Sequence, residues 1–153
     1  MQYNAQLEQE GQAQESDSFF SLPQGLFGFP ELKQMEIVFD EEELPFMWLR
    51  EPNPEGMAFV VLEPNGIIPD YIIEIPDADV EYLEISENDI PLILNIVTLG
   101  NVEKGEHITA NLVGPIIINR RTRKGKQIII NNHEKYSARY SLTEAAEQGT
   151  TAC

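Results

Sequence analysis

Histidine, cysteine and paired carboxylates are the residues that most often hold metals, attack carbonyls or relay protons, and this chain arranges few of them for such work. His107 and His133 are its two histidines and Cys153 is its one cysteine. Zinc sites draw their ligands as Cys or His pairs a few residues apart, and neither histidine has a second ligand motif around it. Cys153 has no organised base nearby, and a lone cysteine leaves no intrachain disulfide framework. The stretch "GNVEKGEH" (100–107) has glycines spaced as in a phosphate loop, but Glu106 follows Gly105 where lysine is required, so a phosphate would meet negative charge. "DEEEL" (40–44) lacks the glycine and the alternating oxygen ligands of a calcium loop. No serine sits in a nucleophile elbow. Carboxylates abound, yet no spacing sets a pair across a cleft for acid–base work. The expectation is a protein with no catalytic residues, no metal site and no cofactor.

What the charged residues favour instead is association. The chain carries 26 Asp and Glu against 10 Lys and Arg, a formal net charge of −16. Residues 31–106 hold nineteen of the acids and three of the bases. Such a field disfavours DNA, RNA and anionic lipid, and it draws in basic partners. Against this background "INRRTRKGKQIII" (118–130) stands out, because five of the ten bases lie between Arg120 and Lys126. Single-strand binders interleave cations with stacking aromatics. This run has none, and the nearest, Tyr136 and Tyr140, fall on a separate segment. No direct nucleic-acid contact is expected. The run reads as a basic hairpin loop attracted to acidic surface, within the molecule or on a partner.

The elements that must present these charges are mostly strands. Short Ile-, Val- and Phe-rich runs bounded by Pro, Gly, Asn or Asp occur at 18–22, 34–39, 57–63, 71–75, 92–99, 107–114, 116–119, 127–131 and 136–142. This pattern predicts a mainly β fold, a small antiparallel β-barrel-like single domain with one or two short helices. One helix is expected over 77–85, with Asp77 as N-cap and Leu83 reaching the core; a helical turn at "TEAAEQ" is the second. The "PIIIN" and "QIIIN" runs suit strands covered on both faces, with Gly125 supplying a positive φ in the "RRTRKGK" reversal between them. Residues 1–17 are read as a flexible acidic tail, 18–142 as the domain and 143–153 as a C-terminal tail. There is no secretory n- and h-region and no apolar run of membrane-spanning length, so the protein is expected to be soluble and cytoplasmic, with no membrane partner.

Two acidic clusters are candidate partner-binding sites. In "DEEELPFMWLREPNPEG" (40–56), Glu41, Glu42 and Glu43 lie beside Phe46, Met47 and the single tryptophan, Trp48. Apolar residues rimmed by charge resemble an interface core. Strand alternation would turn Phe46 and Trp48 into the core and leave Met47 outward beside the acids. Asp77, Asp79 and Glu81 at the helix start form the second cluster. An acidic interaction scaffold, or less simply a ligand-binding protein or hydrolase, stays open at this point.

Seven stretches, in order, carry a resemblance: "GLFGF" (25–29), "PFMWL" (45–49), "FVVLEP" (59–64), "PDY" (69–71), "LNIVTL" (94–99), "NLVGPIIIN" (111–119) and "GKQIII" (125–130). Together they resemble the FliW family of bacterial flagellar assembly factors, over roughly residues 18–141. Gly114 departs from the alanine common before the proline in that family. The resemblance implies a β-barrel-like regulator without catalytic activity. It would bind a CsrA-type RNA-binding translational repressor, relieve repression of flagellin mRNA, and also bind flagellin. It reads as a monomer, with Gly25, Gly28, Pro45 and Pro115 as fold determinants. The acidic site residues follow from charge and not from the family.

Overall fold

Strand after strand with apolar residues on both faces needs a core inside the sheet and a second one outside it. A computed structural model, describing residues 2–4 and 18–142, shows how the chain meets both demands. The strands are β1 (Gln2–Asn4), β2 (Phe19–Ser21), β3 (Gln34–Val38), β4 (Met47–Arg50), β5 (Ala58–Leu62) and β6 (Ile72–Glu74). After helix α1 (Asp77–Tyr82) come β7 (Leu92–Thr98), β8 (Thr109–Ala110), β9 (Ile116–Asn119), β10 (Lys124–Gln127) and β11 (Tyr140–Ser141). Seven of them run in the order β7-β5-β4-β3-β2-β10-β9, and β9 pairs back onto β7 to close a barrel. Closure removes the exposed edges that an open sheet would present. The expected antiparallel pattern holds at every barrel junction but one: β10 meets β2 in parallel, with Lys124 opposite Ser21. β8 and β11 continue the sheet outward from β7, and β1 pairs with β6 in a separate two-stranded sheet.

Register explains the continuous apolar runs. Along β9, Ile116 and Ile118 point into the barrel and Ile117 points out into a second core. Along β7, Leu92 and Leu94 face inward and Ile93 and Val97 outward; β5 sends Val61 in, Val60 and Leu62 out. The outer core is roofed by Ile68, Tyr71, Ile73, Leu83, Ile128 and Ile130, from the β5–β6 connection, β6, the end of α1 and the segment after β10. Each buried Leu or Ile contributes roughly 1.5–3 kcal/mol. Among the polar side chains buried in this layer, Tyr71 and Asn95 meet each other. The Tyr71 hydroxyl donates to the Leu112 carbonyl at 2.5 Å and accepts from Asn95 Nδ2 at 3.1 Å. Burial pushes the Tyr71 phenol well above its ordinary value.

Several sequence expectations need correction. Residues 2–4, placed in a flexible tail, form β1; the rest of 1–17 and all of 143–153, including "TEAAEQ", lie outside the described residues. The strands expected at 107–114 and 136–142 shrink to the two-residue pairs β8 and β11. Helix α1 stops at Tyr82, and its N-cap is Pro76 without a side-chain cap bond, so Asp77 does not cap it. Leu83 is fully buried, as expected. The strand after the basic run is Lys124–Gln127, not 127–131. The reversal is therefore only residues 120–123, closed by the Arg123 N–H on the Asn119 carbonyl at 2.8 Å. Arg123 takes the positive φ, at 62°, and not Gly125. Gly125 is required for a different reason: a Cβ there would lie 2.8 Å from Ile118 Cγ1 and 3.0 Å from Leu22 Cδ2.

Candidate protein-docking face

The roof over the barrel does not reach β2, β3 and β4, whose outward residues meet solvent. Cross-strand register sets them in two rows. One row runs Phe19, Glu36, Arg50 and reaches Ala58 on β5; the other runs Val38, Trp48 and ends at Val60 of β5, which is buried under the roof. Phe19 is 51% exposed and Trp48 41%. Glu36 and Arg50 pair across the strands, Arg50 Nε donating to Glu36 Oε1 at 2.9 Å. Beside Trp48 the loop between β4 and β5 rises to form a groove of about 260 Å³, bounded by Val38, Trp48, Arg50, Glu51, Pro54 and Ala58. The Met57 N–H donates to Glu51 Oε1 at 2.9 Å, which holds this loop closed.

The β3–β4 connection runs off the end of the same face, and it carries Glu41, Glu42 and Glu43, all exposed. Asp40 shapes that turn: its Oδ1 accepts the Glu42 N–H at 2.9 Å and its carbonyl accepts the Glu43 N–H at 2.9 Å. Phe39 and Leu44 flank the acids and are 49% and 47% exposed. Apolar side chains ringed by charge are the anatomy of a protein interface.

Met47 departs from its expected orientation. It points into the barrel with Leu49, while Trp48 points out, the reverse of the sequence reading. Arg50 supplies the reason. It shares the parity of Trp48, so turning Trp48 inward would have carried a guanidinium into the barrel core. Every residue of "PFMWL" is apolar, and the charge that follows it was the available signal. Met47 thus lies beneath the face rather than beside the acids.

The second acidic cluster is split. Asp79 is buried, and its Oδ1 accepts a short hydrogen bond from Lys126 Nζ on β10, so it does not face a partner. Asp77 and Glu81 are exposed on α1, on a part of the surface built from different elements than the Trp48 face.

The basic run turns out to be internal fastening. Lys124 Nζ lies 4.3 Å over the Tyr82 ring and 4.0 Å from Glu84 Oε2. Arg121 bonds the Glu84 carbonyl at 2.9 Å and Asp89 Oδ2 at 3.3 Å; Arg120 Nε donates to the Ile90 carbonyl at 2.9 Å. Arg123 donates to the Phe19 carbonyl at 2.9 and 3.1 Å. The Ser86 N–H, with the Arg121 guanidinium, holds the Asp89 carboxyl below the usual carboxylate range. At the centre Asn119, missed in the sequence, gives Nδ2 to the Leu83 carbonyl at 2.7 Å while Oδ1 accepts the Arg121 N–H at 2.9 Å. All five cations of the run are thus engaged with α1, its following loop or β2, consistent with the expected attraction to acidic surface within the molecule.

The chain and its fold are similar to known proteins. A family model described as FliW protein matches residues 4–142. A flagellar assembly factor FliW of Caldanaerobacter subterraneus subsp. tengcongensis is 40% identical over 122 residues, covering 79% of each chain. The corresponding protein of Leptospira interrogans serogroup Icterohaemorrhagiae serovar Lai is 39% identical over 126 residues, covering 82% of this chain and 83% of its own. A crystal structure of the flagellar assembly factor FliW superposes with a TM-score of 0.69 at 30% identity, over 93% of this chain and 96% of that one.

Proposed function

This chain belongs to the FliW family of flagellar assembly factors, and from that premise we propose that it is a cytoplasmic, monomeric, protein-binding regulator. It binds and antagonises a CsrA-type RNA-binding translational repressor, relieving repression of flagellin mRNA, and it also binds flagellin. It works by association and not by catalysis. The observation that carries this reading is the uncovered barrel face, where Trp48 lies exposed beside Glu41, Glu42 and Glu43. The negative field speeds encounter with a basic repressor, and the apolar side chains supply most of the affinity. With the five cations at 120–126 engaged internally, contact with RNA is left to the repressor. Among the described residues, no helix is long and apolar enough to cross a membrane.

Calorimetric titration with the cognate repressor at low and moderate salt tests the reading. Binding is expected to weaken with salt and to fall further when Glu41, Glu42 and Glu43 become lysine. Substitution of Asp79, already paired with Lys126, should alter stability more than affinity. Absence of binding to both the repressor and flagellin would refute the function.

A further inference from the structure

The groove beside Trp48 has a shape and a charge that narrow what it can hold. Its volume is about 260 Å³. That is room for one long side chain. Val38, Trp48 and Ala58 give it apolar walls, and Arg50 and Glu51 lie at its rim. Arg50 is already paired with Glu36 at 2.9 Å. Residues 36–58, which build the groove and the neighbouring turn, contain seven acids and one base, a net of −6. Among the described residues the aromatic ring with cations over it is Tyr82, faced by Lys124 and Lys126. Trp48, whose indole is the strongest cation acceptor of the aromatic side chains, stands on the acidic side and is exposed to solvent.

We infer that the groove seats a lysine or arginine side chain from an extended protein segment that alternates basic and apolar residues. The alkyl stem lies along Val38 and Trp48, and the cation sits over the indole within reach of the surrounding carboxylates. This rests on the reading of the face as a docking surface, and it adds which kind of residue anchors the partner and where. Charge complementarity selects the occupant. Phosphate-bearing ligands, anionic lipid and acidic peptides all meet the repulsion of the net −6 carried by residues 36–58, whereas a long cationic side chain matches both the apolar walls and that surrounding charge.

Trp48 is the one tryptophan of the chain, so its fluorescence reports the groove directly. The probes are a blocked peptide of alternating valine and arginine, its valine–glutamate counterpart, and the repressor itself. The arginine peptide is expected to change Trp48 emission saturably, with an affinity that falls as salt rises; the glutamate peptide is expected to leave it unchanged. Ala58→Tyr, which fills the groove and keeps the indole, should weaken arginine-peptide binding about tenfold. Val38→Lys, which places a cation in the groove from the opposite wall, should do the same and serves if Ala58→Tyr folds poorly. Equal responses to both peptides, or wild-type affinity in a folded groove variant, would overturn the inference. Repressor binding with unchanged emission and no effect of either variant would sink the groove while leaving the regulatory function standing. Saturable arginine-peptide binding without repressor binding would give the converse result.

Discussion

Asn119→Ala should be among the most damaging single polar substitutions in this protein, although the residue touches no partner. Its side chain is 1% exposed and joins four backbone groups. Nδ2 donates to the Leu83 and Glu84 carbonyls at 2.7 and 3.2 Å, and Oδ1 accepts from the Arg121 and Thr122 N–H groups at 2.9 and 3.2 Å. Leu83 is fully buried, so its carbonyl loses its partner with little water to replace it, at a cost of about 1–3 kcal/mol. Glu84, Arg121 and Thr122 are exposed, and their backbone groups can rehydrate, adding ~0.5 kcal/mol or less apiece. The sum is about 3 kcal/mol. For a chain of this size that lowers Tm by roughly 6–12 °C. Urea denaturation should show the midpoint falling with an unchanged m-value. Asn119→Asp separates donor from acceptor: it keeps the turn bonds but sets a carboxylate against two carbonyls. It should be at least as destabilising at neutral pH and recover partly as acid protonates it. A loss below about 1 kcal/mol in Asn119→Ala would refute the argument that this side chain couples the basic hairpin to the end of α1.

Three further outcomes follow from the same structure. Gly25→Ala should cost more than 3 kcal/mol and Gly28→Ala only about 1 kcal/mol. Both glycines have positive φ, but a Cβ at Gly25 would lie 2.5 Å from the Phe29 carbonyl oxygen, whereas Gly28 has open space; equal melting shifts would contradict this. Lys126→Met strands the carboxylate of Asp79, with an expected loss of about 3 kcal/mol, and the double variant with Asp79→Leu should recover most of it; a double-mutant cycle reads the difference directly. Asp89→Asn removes a carboxyl that titrates below its unfolded value. Its stabilising effect is full above the unfolded range and disappears as pH falls through the folded value, so the two proteins should differ at neutral pH and converge in strong acid.

Much of this molecule is legible in its amino-acid sequence. Beta-branched and aromatic runs punctuated by Pro, Gly and Asn marked where β2, β3, β5, β7 and β9 would form, because those preferences are local. The paired "PIIIN" and "QIIIN" runs implied burial on both faces, and the two cores confirm it for β9. Ordered motifs identified the family, and the charge tally gave the acidity of the surface. Hairpin register was less accessible. Asn119 and Arg123 close the turn, which slides β10 three residues toward the basic run and turns an expected loop into strand. Nothing in the run itself says that Lys126 will meet Asp79, since the partner lies on another element.

The candidate site shows the same division. Sequence alone determined that acids would crowd one tryptophan on the 40–56 segment, since composition and adjacency are written in the chain. Which way that tryptophan faced was a matter of parity: the apolar residues from Pro45 to Leu49 leave it open, and the one local signal is Arg50, which shares the parity of Trp48. Barrel closure settled it, setting Leu49 inward opposite Ile37 and Phe59 and keeping Arg50 in water. Closure also decided which strands would stay unroofed, because the covering segments pack over β5, β7 and β9 and stop short of β2, β3 and β4. A side chain's neighbours along the chain set its propensity; its neighbours across the sheet, brought there by closure, set whether it becomes core or surface.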